Sequence, residues 1–444
     1  MRLACFVFIS LFSCNVVAGQ IISTFAGNGI PSNLGDGGMA TNASIDYPTR
    51  GAFDRNGNYY FALGTHGNGV RKVSTDGIII RVAGTGVAGF GGDGGPATAA
   101  LLNNAQSVAV DSFGNIYVAD VFNNRIRKID AVTGIIATCA GTGSSPFSGD
   151  GNAATSTNMQ PNNLCFDHNW NLYFTDGANN RIRKIDKTGV VSTVAGNGTP
   201  GLGGDEVAAT STAINPYGIG FDQSNNLYFT DDYGRIEKLT PDGILHFFAG
   251  NGMGAITGDS GDGGPATAAS MVPTYIAFNA EGTMFVAETE MNKVRAITPT
   301  GYIATVVGTG SASFSGDGGL ATNATINYPG GITTDTCGNL YICDAHDYHI
   351  RRVEFNAACL PATTPNVSDI QTKIFPNPTS GRLYVSSETY VHIRLSNSLG
   401  KQILAETLNP KIGTLTLTSL PSGLYLLELT DDEGNRTVHK IIKQ

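Results

Sequence analysis

Apolar and charged residues alternate along Arg125-Ile126-Arg127-Lys128-Ile129-Asp130, and again along Arg181-Ile182-Arg183-Lys184-Ile185-Asp186, with the period of two that a strand imposes. Ahead of each run stands a more apolar one ending in an acid, Ile116-Tyr117-Val118-Ala119-Asp120 in the first case, and ahead of that a shorter strand, Ser107-Val108-Ala109-Val110-Asp111. A glycine turn (Gly77, Gly134, Gly189, Gly243, Gly301) then leads to a fourth run such as Ile135-Ile136-Ala137-Thr138-Cys139-Ala140. Turns this short need positive φ, which glycine supplies at least cost, so each unit reads as a four-stranded antiparallel meander. The unit occurs six times, marked by GDGG or a close variant with its acid at Asp36, Asp93, Asp150, Asp205, Asp262 and Asp317, in steps of 57, 57, 55, 57 and 55. An Ala-Thr pair follows each marker, opening a predicted single helical turn, and one connection per unit, about twenty residues long, carries both.

Six such meanders predict an all-β six-bladed β-propeller, because a radial array buries both faces of every sheet against its neighbours. The ends carry the closure. The chain opens on an isolated fourth strand, Ile21-Ile22-Ser23-Thr24-Phe25-Ala26, while the sixth unit stops after its third, Ile350-Arg351-Arg352-Val353-Glu354. The first strand is expected to complete the last blade, removing an open sheet edge. Composition agrees: 58 of 444 residues are Gly, nearly twice the usual share, and only 14% are charged against roughly 25% in an average chain. With 27 basic and 36 acidic residues the net charge is −9, which offers no electrostatic footprint for a nucleic acid partner.

Residues 3–12 (LACFVFISLF) form an apolar stretch well short of the roughly 20 residues of a membrane-spanning helix, so no transmembrane span is expected. With Arg2 ahead of it and small residues at Val17-Ala18-Gly19, it reads as a signal peptide, residues 1–19, cleaved between Gly19 and Gln20. A rival reading takes Leu11-Phe12-Ser13-Cys14 as a lipoprotein site, against which Phe12 is bulky; both readings export the protein. Five cysteines remain after the signal, too few and too widely spaced for a disulfide scaffold or a zinc knuckle. Cys337, in a turn of the last blade, and Cys359, just past its third strand, are the candidate disulfide; Cys139, Cys165 and Cys343 take apolar or small-residue positions and read as buried thiols.

Residues 20–358 are assigned to the propeller, 359–368 to a Pro- and Thr-containing linker and 369–444 to a second domain. Its short alternating runs, Val391-His392-Ile393-Arg394-Leu395 and Gly423-Leu424-Tyr425-Leu426-Leu427-Glu428-Leu429 among them, predict a small β-sandwich.

The Gly-Asn turn, apolar strand, Asp and Asn-Asn-Arg-Ile-Arg-Lys succession resembles NHL repeats, and the GDGGPAT segment is similar to the subclass found in bacterial surface proteins and in the NHL region of teneurins. Departures are Leu63 in place of the second-strand acid of the first unit, Gly151-Asn152 in the third and Glu206-Val207 in the fourth. Pro376-Asn377-Pro378-Thr379-Ser380-Gly381, Leu399-Gly400-Lys401, Pro421-Ser422-Gly423-Leu424-Tyr425 and the terminal Lys440-Ile441-Ile442-Lys443 resemble the type A C-terminal sorting domain of the type IX secretion system of Gram-negative Bacteroidota. That resemblance implies delivery to the outer-membrane surface or the medium, with the secretion machinery as a partner.

The candidate chemistry is acidic. The GDGG loops share a face with the loops after Asp120, Asp176, Asp231, Glu288 and Asp344; no cofactor is expected, although hard carboxylate oxygens there would suit Ca²⁺. Against that, each loop Asp could simply bond its own backbone. The fourth and fifth units depart most from the repeat, the latter through Ala255-Ile256-Thr257-Gly258-Asp259-Ser260, so ligand binding is expected near Asp205, Glu206, Asp259 and Asp262, with Asp36, Asp93, Asp150 and Asp317 as the repeated positions. Cross-strand pairing of Asp120 with Arg125 or Arg127 reads as a modest structural ladder. His66, His346 and His349 fall in or beside neighbouring loops of the first and sixth units, where a metal site would need them to converge near the axis. No nucleophile elbow, metalloprotease motif or phosphate loop stands in a fitting context, so no catalytic residue is assigned. Two functions are carried forward: a surface binding or adhesion module for protein or glycan on the GDGG face, and a Ca²⁺- or Zn²⁺-dependent propeller hydrolase or lyase. The starts of the inner strands, Asn162, Asn163, Tyr217, Thr274 and Tyr275, bring no Glu or His to the second.

Overall fold

Twenty-four strands of the computed structural model form six four-stranded antiparallel blades. Residues 20–253 and 258–355 are described in the propeller, and 373–375, 379–380, 382–387, 391–397, 402–408, 411–431 and 436–443 in the tail. The signal region and Gly19, the linker and Cys359, and residues 254–257 of the fifth-unit insertion lie outside these.

The chain divides into two compact units, residues 1–358 and 359–444. Blade two is typical of the ring: Ala105–Val110 innermost, then Ile116–Asp120, Arg125–Ile129 and Ile136–Ala140 at the rim. Blade six is completed by Ile21–Ala26, which pairs antiparallel with His349–Glu354, Ile22 opposite Val353 and Thr24 opposite Arg351. Each blade packs its apolar residues against the next; Val118 and Ile136 of blade two, for instance, share a cluster with Val70 and Ala83 of blade one. In the tail, Val391–Asn397, Gln402–Leu408, Gly423–Asp431 and Arg436–Lys443 form one sheet and Lys373–Phe375, Arg382–Ser387 and Lys411–Thr416 another, around Leu383, Ile393, Leu395, Leu427 and Ile441.

The repeated motifs have local causes. At the end of strand one, Asp111 Oδ1 accepts the amides of Phe113 and Asn115, both at 2.9 Å, and its Oδ2 accepts the Asn115 side chain, so this acid makes the tight Asx turn. In the Asn-Asn pair, Asn123 Nδ2 donates to Asp120, while Asn124 takes the left-handed conformation (φ 51°) that ends the short 3₁₀ turn. The chain must also let strand four end hard against that turn: a Cβ on Gly141 would lie 2.2 Å from the Asn124 carbonyl.

The GDGG segments do not project as free loops. Gly94 N donates to Ile136 O and Ile136 N to Gly95 O, so the segment lies along the outer strand of its own blade and covers the edge that strand would expose. The same bonds recur at Gly37 and Ile79, Gly151 and Val191, Gly263 and Ile303, and Gly318 and Ile22; in blade four the segment becomes a fifth strand, Val207–Ala208. The predicted Ala-Thr turns follow as single 3₁₀ turns, Ala97–Ala99 in blade two.

Candidate functional site

Edge coverage brings the Asp of five of the six GDGG segments onto an arginine in the middle of strand three. Arg127 is fully buried; its Nη2 lies 2.6 Å from Asp93 and its Nη1 3.3 Å from the buried Asp120, with further bonds to the Leu101 and Gly91 carbonyls. Asp93 Oδ2 also accepts the Thr138 hydroxyl at 2.7 Å. Arg71 with Asp36, Arg183 with Asp150, Arg295 with Asp262 and Arg351 with Asp317 repeat the arrangement at 2.6–3.1 Å. Neither sequence expectation for these acids describes this. Asp36, Asp93, Asp150, Asp262 and Asp317 each bond an arginine instead of their own turn; each is the solvent-facing end of a carboxylate–guanidinium–carbonyl cluster. Of the two arginines that could pair with Asp120, it is the enclosed Arg127 that does, while Arg125 stacks on Phe90, 3.9 Å from the ring centroid.

Blade four breaks the pattern. Glu237 stands where the other blades have arginine, is 1% exposed, and has no partner for either oxygen. Asp231, 2% exposed, accepts the Tyr233 and Arg235 amides through Oδ1, and its Oδ2 is unpartnered. Burial, reinforced by the charge of Asp231 and then Asp205, pushes Glu237 up to about 8 against the pull of Arg235. Burial likewise raises Asp231 to about 6. Asp205 is exposed and holds the Phe247 amide at 2.9 Å; Glu206 beside it is exposed at φ 55°, a position glycine fills in the other five blades. Asp259 pairs with Lys293. Sequence reading singled out Asp205 and Glu206 but missed Glu237, although aligning the six third strands reveals it as the acid at an arginine position.

A second constellation lies where the inner strands begin. Blades one, two and six carry one extra residue before strand one, and these residues, Tyr47, Asn104 and Tyr328, take left-handed φ of 50°, 60° and 58°. Three adjacent blades are thus built unlike the other three. Tyr47 packs against His66, His346 and Tyr328, with the Tyr328 and His346 rings stacked at 4.3 Å. His349 is elsewhere, stacked on Phe314, so the three histidines do not converge. Burial, then the Tyr328 and Tyr217 phenols, push Tyr47 up to about 12. Opposite, Tyr217 and Tyr275 meet edge to face with hydroxyls 3.4 Å apart. Beside these two tyrosines lies a cavity of about 180 Å³, lined by them and by Asn104, Gln106, Val121, Phe122, Gln160, Asn162 and Asn163. Arg50 crosses beneath, donating to Asn163 Oδ1 and, at 2.9 Å, to the Ile219 carbonyl, which ties blade one to blades three and four. Among the described residues no three His, Cys, Asp or Glu side chains already stand at metal-binding spacing.

Fold and tail together define a six-bladed β-propeller with a C-terminal sorting domain. Residues 373–444 match the secretion system C-terminal sorting domain, which marks the protein for the cell surface or the medium through the type IX machinery of Bacteroidota-type bacteria. The propeller is similar to Teneurin-m of Drosophila melanogaster, 26% identical over 400 residues, covering 79% of this chain and 14% of that protein. Teneurin-3 of Mus musculus is 27% identical over 308 residues, with 61% and 11% covered, so the chain spans about a seventh or less of the length of these relatives. Among solved structures, a Bacteroides thetaiotaomicron protein of unknown function superposes with a TM-score of 0.56 at 21% identity, and an auxiliary nutrient binding protein from the same organism with 0.55 at 15%. Each match covers 76% of both chains and supports the propeller fold. No helix among the described residues is long and apolar enough to cross a membrane.

Proposed function

We propose that the protein is a surface-displayed or secreted binding module that takes a glycan at the mouth of its central channel. The observation that carries this is the amide-and-tyrosine cavity. Asn and Gln side chains each offer donors and an acceptor, which suits sugar hydroxyls, and tyrosine rings pack on the apolar faces of a sugar. Arg50 closes the channel below, so a ligand rests on the mouth instead of threading it. The description of a like-folded Bacteroides propeller as a nutrient binding protein agrees with this reading. A hydrolase or lyase would need its reacting groups at this place, and what lines the cavity is amide, phenol and the apolar Val121 and Phe122.

Glycan-array screening of the full-length protein followed by calorimetry on the hits tests the proposal. Asn162→Ala and Tyr217→Ala should each weaken binding about tenfold, ~1.4 kcal/mol, with the melting temperature unchanged. Hits insensitive to both variants, or lost only on altering the opposite turns at Asn56-Gly57 and Asp242-Gly243, would overturn it. A protein ligand at the rim is the second reading, favoured by the exposed Asp205-Glu206 pair, where Glu206 holds a conformation that glycine adopts at lower cost. Changing both to Ala should then abolish capture of that partner and leave glycan binding intact.

A further inference from the structure

We propose that blade four binds a divalent cation, Ca²⁺, between Glu237, Asp231 and Asp205, in the place where five other blades hold an arginine guanidinium. The argument rests on six copies of one slot within a single chain. In blades two, three, five and six the slot has a buried acid from strand two, a rim Asp from the GDGG segment, two loop carbonyls and the guanidinium that joins them. Blade one keeps the guanidinium with the rim acid and the carbonyls, Leu63 standing for the inner acid. Blade four keeps both acids, replaces the cation by a third carboxylate, and leaves Glu237 Oε1, Oε2 and Asp231 Oδ2 buried without partners. No described basic group comes within ion-pair distance of either acid: Arg235, the nearest by its electrostatic influence on Glu237, stacks on Phe247. Unpaired buried carboxylates are costly unless a cation compensates them.

The surroundings have changed in concert. A rim phenylalanine stands three residues before the Asp in blades two, three and six, and the slot arginine packs over it: Arg127 over Phe90, Arg183 over Phe147, Arg351 over Phe314, at 4.5–5.0 Å. In blade four that position is Leu202; blades one and five, with Asn33 and Asp259 there, hold their arginine without an aromatic, so the phenylalanine accompanies the guanidinium in three of its five slots. A glutamate side chain is shorter than arginine and leaves room at its tip. The chain passes close by at Gly203, where a Cβ would lie 3.5 Å from Glu237 Oε1. By the spacing of the repeat, Gly203 and Ala213 supply the carbonyls that hold the guanidinium elsewhere. In Asp262 one oxygen takes the strand-four amide and the other the arginine; Asp205 gives one oxygen to Phe247 N, leaving the other for a cation. Three carboxylates and two carbonyls, all hard oxygens of flexible geometry, fit Ca²⁺ better than zinc, which prefers nitrogen and sulfur. The third carboxylate closes on the ion by rotation of the exposed Asp205.

Terbium luminescence and calorimetric Ca²⁺ titration of the full-length protein, with melting curves in EDTA and in 10 mM CaCl₂, test the site. One equivalent should bind with a Kd of about 0.1–1 mM, the range of extracellular modules, and raise the melting temperature by ~2–4 °C. Glu237→Arg rebuilds the slot of the other blades, so it should fold, melt higher in EDTA, and lose both the terbium signal and the Ca²⁺ shift. Glu237→Gln should lose the signal without that gain. A wild-type protein indifferent to Ca²⁺ and terbium would overturn the proposal. So would a Glu237→Arg variant that still binds the ion, or a stability that follows pH alone with no response to Ca²⁺, the mark of a protonated Glu237.

Discussion

Glu237 makes the protein's stability depend on pH in a direction opposite to that of an ordinary surface acid. Its folded value of about 8 lies above the usual glutamate range, so the folded state holds the proton more tightly than the unfolded chain. The stability this contributes is complete below the ordinary glutamate value and is lost as pH rises through about 8. The facing groups are Asp231 from strand two, Arg235 beside its own strand and Asp205 from the rim; Phe247 and Leu245 on the outer strand bring no charge. In EDTA the wild type should therefore lose stability relative to Glu237→Gln from about pH 4.5 to about pH 8 and level off above it, at up to ~1.4 kcal/mol per pH unit, measured by paired urea titrations. A flat difference would show that the carboxyl is solvated. The intact slots behave otherwise: Arg127→Ala leaves Asp120 buried and unpaired and should cost about 3–5 kcal/mol, whereas Asp93→Ala, at the exposed end, should cost far less and chiefly loosen its segment.

Among the elements, strands and closure could be read because the period-two runs recur every 55–57 residues and the spare strand at one end matches the gap at the other. What escaped reading has a physical reason. Alternation assigns Arg127 to solvent, but a blade is covered on both faces and its outer edge is capped, so the arginine is enclosed, and its partner Asp93 lies 34 residues upstream. The asymmetry of the mouth was visible only as one residue gained before Ala105, Pro48 and Pro329, too small a change to notice until its left-handed φ turned two tyrosines and an asparagine to the mouth. Two outcomes belong to this scale. Cys337 and Cys359 are predicted to form a bridge closing a loop of about 22 residues, contributing roughly 3 kcal/mol in the chain-entropy treatment; peptide mapping of exported protein without reduction should recover the linked pair. Of the three expected buried thiols Cys343 is buried while Cys139 and Cys165 are half-buried; burial pushes all three up to about 12, so Cys343 should resist alkylation until the propeller unfolds and the other two should react slowly.

At the scale of the whole molecule, ring closure pairs Ile21–Ala26 with His349–Glu354. Deleting residues 369–444 should leave a folded propeller retained in the periplasm, seen by fractionation and protease resistance; display of the truncated protein on the surface would contradict the sorting assignment. The closing strand also sets a timetable. Thr24 reaches across 293 positions to Asp317, a loop that must be ordered before its ends reward each other. The segment synthesised first is thus the last to find its place, and until the sixth blade has been made the polypeptide can only wait as a row of unsealed blades. Maturation is gated by length, and a chain cut short anywhere before residue 349 has no ring to finish.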